Sequence, residues 1–144
     1  MSILKKNIAI ILASGLGKRF GIKEPKQYLR FNNQLLLNHT IQLFLNHKKI
    51  DLILVMVNKK HKKFFNKIIH NKRVLRRYGG DSRQKSVFNG LKSIKRFNPL
   101  NVLIHDANRP FTDVKLISKI LEELKRFKAV IPKIKIQDTI KKVE

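Results

Sequence analysis

The sequence predicts an α/β fold in which a mostly parallel sheet carries helices on both faces. Short runs rich in Ile, Val and Leu alternate with stretches whose apolar residues recur every three or four positions. Parallel strands are joined by long crossovers, usually helices, so this alternation is typical of a parallel sheet. At about 100–200 residues per domain, residues 1–144 are expected to form a single domain.

Apolar runs of strand length end in polar or glycine-containing turns. Strands that are buried on both faces read as continuous apolar runs, which fits the interior of a parallel sheet. The predicted strands are 8–13, 52–57, 102–105 and 129–134, with a weaker candidate at 74–78.

Helical periodicity occupies the segments between these strands. Apolar side chains recur at spacings of three and four over 35–45, 64–69 and 87–94. The clearest helix begins after Thr112 or Asp113, either of which can cap it. Its apolar face consists of Val114, Ile117, Leu121 and Leu124.

The chain is strongly basic, since 33 Lys and Arg against 9 Asp and Glu give a formal net charge of +24. Such a balance suggests a polyanionic partner such as nucleic acid. However, the cations are spread along nearly the whole chain and accompany abundant Ile and Asn, as expected from an AT-rich coding bias. Incidental basicity together with anionic small substrates is therefore favoured over nucleic-acid binding. The absence of Cys excludes disulfides and thiolate zinc sites, and we expect a cytoplasmic location.

No stretch of the sequence is apolar over the roughly 18 residues that a membrane-spanning helix needs. Two lysines and the run 8–13 superficially match a signal peptide. That run is six residues long and leads into a glycine loop, so we interpret it as the first buried strand.

Three unusual loops follow predicted strands, at the edge where parallel sheets bind their ligands. In the first, Gly15, Gly17 and Gly21 allow a backbone to turn sharply and to direct N–H groups at an anion. Their spacing matches neither the dinucleotide fingerprint nor a P-loop. Arg19 and Lys26 lie beside them, and fixed cations suit a phosphoryl transition state. The alternative is that both are ordinary surface cations.

The second loop runs into a predicted helix, with Asp81 or Ser82 as its cap and Ser86 one turn inside. A helix N-terminus with a nearby hydroxyl can hold a base edge or a phosphate. The alternative is an ordinary capped helix start.

The third loop begins with a carboxylate at the end of a buried strand. Asp106 could help to hold Mg²⁺ carried on nucleotide phosphates. The alternative is an ion pair between Asp106 and Arg109 that fixes the turn. We interpret His105 as a packing residue.

Several motifs, in order along the chain, together resemble one family. They are ASGLGKRF at 13–20, PKQY at 25–28, GGD at 79–81 with Arg83, SV at 86–87 with GL at 90–91, HDA at 105–107 with RP at 109–110, and DT at 138–139. In order and spacing they resemble the 2-C-methyl-D-erythritol 4-phosphate cytidylyltransferases of the non-mevalonate isoprenoid pathway.

This resemblance implies a Rossmann-like nucleotidyltransferase fold, and transfer of a cytidylyl group from CTP to a sugar-alcohol phosphate, 2-C-methyl-D-erythritol 4-phosphate, with Mg²⁺ required. It implies that Arg19 and Lys26 are catalytic. Nucleotide contacts are implied for Ala13, Ser14, Gly15, Gly17, Gly80, Asp81 and Ser86. Substrate contacts are implied for Asp106, Arg109 and Thr139, with Asp106 also on the metal side.

The chain departs from the family pattern at three points. Ser14 stands where the family commonly has alanine, and Asn108 interrupts its usual Asp-Ala-Ala-Arg-Pro. The third departure is length, because the resemblance implies a domain that continues past Glu144 into a dimerisation arm. A homodimer is therefore expected only where that arm is present. Two alternatives stay open: a cytidylyltransferase for a pentitol phosphate such as ribitol 5-phosphate, and a non-catalytic basic module that binds nucleotide or RNA.

Overall fold

The computed structural model describes residues 5–16 and 24–134. Within them the strands are β1 (Lys6–Ala13), β2 (Arg30–Phe31), β3 (Gln34–Leu35), β4 (Leu52–Val57), β5 (Val74–Tyr78) and β6 (Pro99–Asp106). The α-helices are α1 (Leu36–Leu45), α2 (Arg83–Ile94) and α3 (Val114–Glu123). Short 3-10 helical segments occupy Lys26–Tyr28, Lys59–Lys67 and Lys95–Phe97. No helix among the described residues has the length and apolar character that a membrane crossing requires.

The central sheet has the strand order β5-β4-β1-β6, and all of its pairings are parallel. Ile10 in β1 lies between Leu54 of β4 and Ile104 of β6. The parallel α/β class predicted from the sequence is therefore confirmed. Because the strands run the same way, the loops that follow β1, β4, β5 and β6 meet at one edge of the sheet.

Helices cover both faces of the sheet, as the sequence predicts. On one face, Ile41 of α1 and Ile117 of α3 share a buried cluster with Ile11 of β1. On the other face, Ile94 of α2 packs with Ile10 and the rest of a second cluster. Neighbouring residues of a strand point to opposite faces, so the continuous apolar run of β1 supplies both clusters.

Gly90 allows α2 to approach the sheet closely. A Cβ built at this residue would lie 3.2 Å from Cδ1 of Ile10 and 3.4 Å from Sδ of Met56. We expect Gly90→Val to lower the free energy of unfolding by about 1–3 kcal/mol, because the added methyl groups overpack the core. Urea denaturation measures this change. Lys92→Val, which places the same side chain on an exposed position of α2, is the control, and equal losses in the two variants would contradict the packing argument.

The strand predicted at 129–134 is wrong. These residues follow α3 without regular structure, and Ile131 and Ile134 are 86 % and 93 % exposed. An apolar run becomes a strand only where a neighbouring strand supplies hydrogen bonds to its backbone. None of the described residues pairs with this run, and its composition alone cannot reveal that.

The remaining helices agree with the sequence except at one segment. The predicted helices at 35–45 and 87–94 correspond to α1 and α2, and Asp113 rather than Thr112 caps α3, accepting a hydrogen bond from the Lys115 N–H at 2.8 Å. The helix predicted at 64–69 is instead the 3-10 segment Lys59–Lys67, which is kinked at His61. Crowded lysines disfavour a regular α-helix there, because like charges one turn apart repel each other.

A small antiparallel hairpin, formed by β2 and β3, was not predicted from the sequence. Asn32 and Asn33 form its turn, with φ of 47° and 61°. Two-residue hairpin loops need positive φ, which Asn tolerates better than most residues. The Asn-Asn pair was therefore the available signal.

Candidate active site

The candidate active site is a cleft of about 1130 Å³ at the carboxyl edge of the sheet. Loops from all four central strands line it, so the three loops selected from the sequence do meet in space. The lining includes Ser14, Gly15 and Leu16 after β1, Asn58 and Lys60 after β4, Gly80 to Arg83 after β5, Asp106 at the end of β6, and Asn108 and Arg109 after it, together with Lys26 and Gln27.

Gln27 fixes the loop that follows β1. Its side chain is 6 % exposed, and Nε2 donates hydrogen bonds to the carbonyl oxygens of Ala13 and Gly15, both at 2.8 Å. Lys26 precedes it in the same 3-10 turn and lines the cleft. The glutamine thus ties the end of β1 to the turn that carries the predicted catalytic lysine.

We expect Gln27→Leu to lower the free energy of unfolding by about 2–3 kcal/mol. Leucine nearly preserves the volume but removes both donors, which leaves the carbonyl groups of Ala13 and Gly15 without this partner. Chemical denaturation measures the loss. Gln84→Leu, on an exposed position of α2, is the control, and an equally small loss in both variants would show that the two hydrogen bonds do not hold the loop.

Ser86 joins three segments behind the cleft wall. Its side chain is fully buried, and its hydroxyl donates to the Ser82 carbonyl at 2.8 Å and accepts from the Gly80 N–H at 3.0 Å. The Ser14 hydroxyl lies 2.7 Å from the Ser86 hydroxyl, and either of the two can donate the hydrogen bond between them. Ser86 therefore positions Ser14 and Gly80.

Gly79 is required where the loops after β1 and β5 touch. A Cβ at this residue would lie 2.6 Å from Cβ of Ser14 and 2.8 Å from Oγ of Ser86. Distances below 3.0 Å are not found for real Cβ atoms, so a side chain here would push the two loops apart.

Asn58 links the first loop to the segment that follows β4. Its Nδ2 donates to the Ser14 carbonyl at 3.0 Å, and its Oδ1 accepts from the Lys60 N–H at 2.9 Å. No role was predicted from the sequence for Gln27, Asn58 or Lys60. For Asn58 the available signal was a polar residue directly after a buried strand, at the edge where ligands bind.

Asp106, at the end of β6, forms ion pairs with two arginines of the cleft. Its Oδ1 lies 3.3 Å from Nε of Arg83, and its Oδ2 lies 3.3 Å from Nε of Arg109. The ion pair with Arg109 was one of the two alternatives for this loop, and Arg83 adds a second. Both guanidinium groups are largely exposed, so each pair stabilises the fold by only about 0–1 kcal/mol. The pairs orient the cations more than they stabilise the protein.

The carboxylates of the cleft suit a metal ion that arrives with a ligand. Among residues 5–16 and 24–134, no group of three or more His, Asp or Glu side chains could hold a metal ion alone. Mg²⁺ prefers one or two carboxylates together with phosphate oxygens and water. Asp106 and Asp81 both line the cleft, so this donor set fits Mg²⁺ carried on nucleotide phosphates.

His105 is a packing residue, as predicted. Its ring packs edge to face against Phe44 with centroids 5.2 Å apart, and Nε2 lies 2.9 Å from Oγ1 of Thr112. Burial lowers the pKa of His105, which favours the neutral ring.

The predicted site residues fall into three groups. Those that line the cleft are Ser14, Gly15, Lys26, Gly80, Asp81, Asp106 and Arg109. Ala13 and Ser86 are buried directly behind the lining. Gly17, Arg19 and Thr139 lie outside the described residues.

The family model described as "IspD: 2-C-methyl-D-erythritol 4-phosphate cytidylyltransferase" matches residues 7–144. The chain belongs to the IspD family. This agrees with the family that the sequence motifs resemble, and it accounts for the parallel sheet and for the loops that meet in the cleft.

Curated IspD relatives align with nearly the whole chain. It is 45 % identical over 133 residues to the bifunctional enzyme IspD/IspF of Pelagibacter ubique, across 92 % of the chain and 35 % of that relative. It is 38 % identical over 136 residues to the 2-C-methyl-D-erythritol 4-phosphate cytidylyltransferase of Clostridioides difficile, across 92 % of the chain and 57 % of that relative. The chain therefore spans between about a third and three fifths of the length of these relatives.

A solved structure supports the same fold. The 4-diphosphocytidyl-2C-methyl-D-erythritol synthase of Anaerococcus prevotii superposes with a TM-score of 0.79 at 30 % identity, over 97 % of this chain and 60 % of that one. The described sheet thus corresponds to part of the full nucleotidyltransferase domain.

Proposed function

We propose that this chain carries the cytidylyl-transfer site of an IspD-family enzyme, which transfers CMP from CTP to 2-C-methyl-D-erythritol 4-phosphate and releases pyrophosphate. The observation that carries the proposal is the meeting of three groups in one cleft of an IspD-family chain: the backbone at Ser14 and Gly15, the lysine Lys26, and Asp106 with its two arginines.

The reaction requires positively charged groups that are held in place before the transition state forms. A phosphate oxygen of the acceptor forms a bond to the α-phosphorus of CTP, while the bond from that phosphorus to the oxygen bridging to the β-phosphate breaks. Negative charge grows on the equatorial and departing oxygens, so a cation already held in place stabilises the transition state more than the ground state. Lys26 sits on a turn fixed by Gln27 and meets this requirement. We assign Arg19 the same role on the family resemblance.

The nucleotide is assigned to the loops that follow β1 and β5. Ser14, Gly15, Gly80 and Asp81 line the cleft and are proposed to contact CTP. Ala13 and Ser86 are assigned to the nucleotide on the resemblance, and their hydrogen bonds also hold those loops from behind. Gly17 is assigned to the nucleotide on the resemblance.

The acceptor is assigned to the side of the cleft that carries Asp106 and Arg109. Thr139 is assigned to the same substrate on the resemblance alone. Mg²⁺ bound to the phosphates would be held by Asp106, where it would neutralise part of their charge. Homodimer formation stays a prediction.

Calorimetric titration with CTP, UTP, ATP and GTP in the presence of Mg²⁺ tests the nucleotide assignment. We expect CTP to bind most tightly, and we expect removal of Mg²⁺ to weaken binding. Equal affinity for all four nucleotides would contradict a cytidylyl site. Tighter binding of an RNA oligonucleotide, with affinity falling steeply as salt rises, would instead indicate a basic nucleic-acid module.

A further inference from the structure

We infer that Lys60 is an additional phosphate-binding residue of the cleft, contacting the phosphates of the bound nucleoside triphosphate. This inference rests on the proposed function, and it adds a cation that no motif in the sequence indicates.

The position of Lys60 is set by the loop that is proposed to hold the nucleotide. Lys60 lines the cleft, and it is the second residue of the 3-10 segment that follows β4. Asn58 accepts from its backbone N–H at 2.9 Å and donates to the Ser14 carbonyl at 3.0 Å. The amide side chain of Asn58 therefore fixes the start of this segment against Ser14.

Charge balance across the cleft favours the same role. β4 and β6 flank β1 on opposite sides, so Lys60 and Asp106 lie on opposite sides of Ser14 and Gly15, which follow β1. Arg83 and Arg109 share the carboxylate of Asp106, which offsets part of their charge. Within the described residues no ion pair joins Lys60 to a carboxylate, so its full charge is available to an anionic ligand.

Two neighbouring lysines of the same segment contact other side chains. Nζ of Lys59 lies 5.6 Å from the ring centroid of Tyr78, and Nζ of Lys63 lies 3.6 Å from Oε1 of Glu24. Lys62 is exposed and is not part of the cleft lining. Lys62→Ala therefore changes the net charge as Lys60→Ala does, without removing a group from the cleft.

The test compares CTP, inorganic triphosphate and cytidine as ligands. Lys60→Ala is expected to raise the Kd for CTP and for triphosphate by about tenfold or more, the effect of losing one charge-assisted hydrogen bond. The Kd for cytidine, which has no phosphate, is expected to stay unchanged. Lys60→Arg is expected to retain most of the affinity, and Lys62→Ala all of it. In turnover, Lys60→Ala is expected to raise KM for CTP with little change in kcat, as for a group that binds ground and transition states equally.

Equal effects of Lys60→Ala and Lys62→Ala on triphosphate binding would overturn the inference, because they would show a diffuse effect of net charge. An unchanged circular dichroism spectrum establishes that each variant is folded. A wild-type protein that binds triphosphate without preferring CTP would instead contradict the proposed function, and the two variants compared on triphosphate would still decide the role of Lys60. Binding of neither ligand by the wild-type protein would contradict both.

Discussion

Lys26→Ala is expected to lower kcat for pyrophosphate release by about 10²–10³-fold, the usual effect of removing one preorganised group that stabilises developing charge. CTP binding is expected to weaken far less, because the lysine acts mainly on charge that appears in the transition state. The structure supports this difference: Lys26 lines the cleft on a turn held by the buried Gln27, so no ordering of the lysine backbone is needed during the reaction.

Steady-state kinetics and CTP titration on the same preparations measure the two effects separately. Lys125→Ala is the control, because that ammonium pairs with Glu122 at the end of α3 and is absent from the cleft lining. Weaker CTP binding with an unchanged kcat would show that Lys26 binds the ground state as strongly as the transition state. An unchanged kcat would remove it from the catalytic residues.

Asp106→Asn is expected to lower kcat/KM by about 100-fold, at the upper end of the range for residues that hold a metal site in place. Asparagine keeps the shape of the side chain but removes the charge that Arg83 and Arg109 share. It also weakens the proposed contact with Mg²⁺, so the Mg²⁺ concentration that gives half-maximal rate is expected to rise.

A titration of rate against Mg²⁺ separates the two roles of Asp106. Asp113→Asn is the control, because Asn caps a helix about as well as Asp and this residue caps α3. If Asp106→Asn lost activity with an unchanged Mg²⁺ requirement, the carboxylate would serve only to orient its two arginines. Full activity would contradict both roles.

The sequence was sufficient to predict those elements of the fold that are continuous runs of buried apolar residues. β4 spans the residues predicted for it, 52–57, because all six side chains are apolar and both faces of this strand are covered. The run at 129–134 has a similar composition but no pairing neighbour among the described residues. Pairing depends on a second segment, so one apolar run cannot predict it.

The candidate site likewise contains residues that the sequence could group and contacts that it could not predict. Ser14, Gly80 and Asp106 could be grouped from the sequence because each follows a predicted strand and parallel strands end at one edge. The hydrogen bonds that Gln27 and Asn58 make in the site could not be predicted, because they join carbonyl groups distant in sequence, 44 residues away for Asn58. Such contacts become visible only when the loops are placed in space.

The most direct test of cytidylyl transfer is pyrophosphate release by the purified 144-residue protein with CTP and Mg²⁺, comparing 2-C-methyl-D-erythritol 4-phosphate with ribitol 5-phosphate as acceptor. We predict release with the methylerythritol phosphate only, together with 4-diphosphocytidyl-2C-methyl-D-erythritol as the nucleotide product. Release with ribitol 5-phosphate alone would keep the chemistry and contradict the acceptor. No release with either acceptor, from protein shown to be folded, would contradict the proposal that this chain carries a working transfer site.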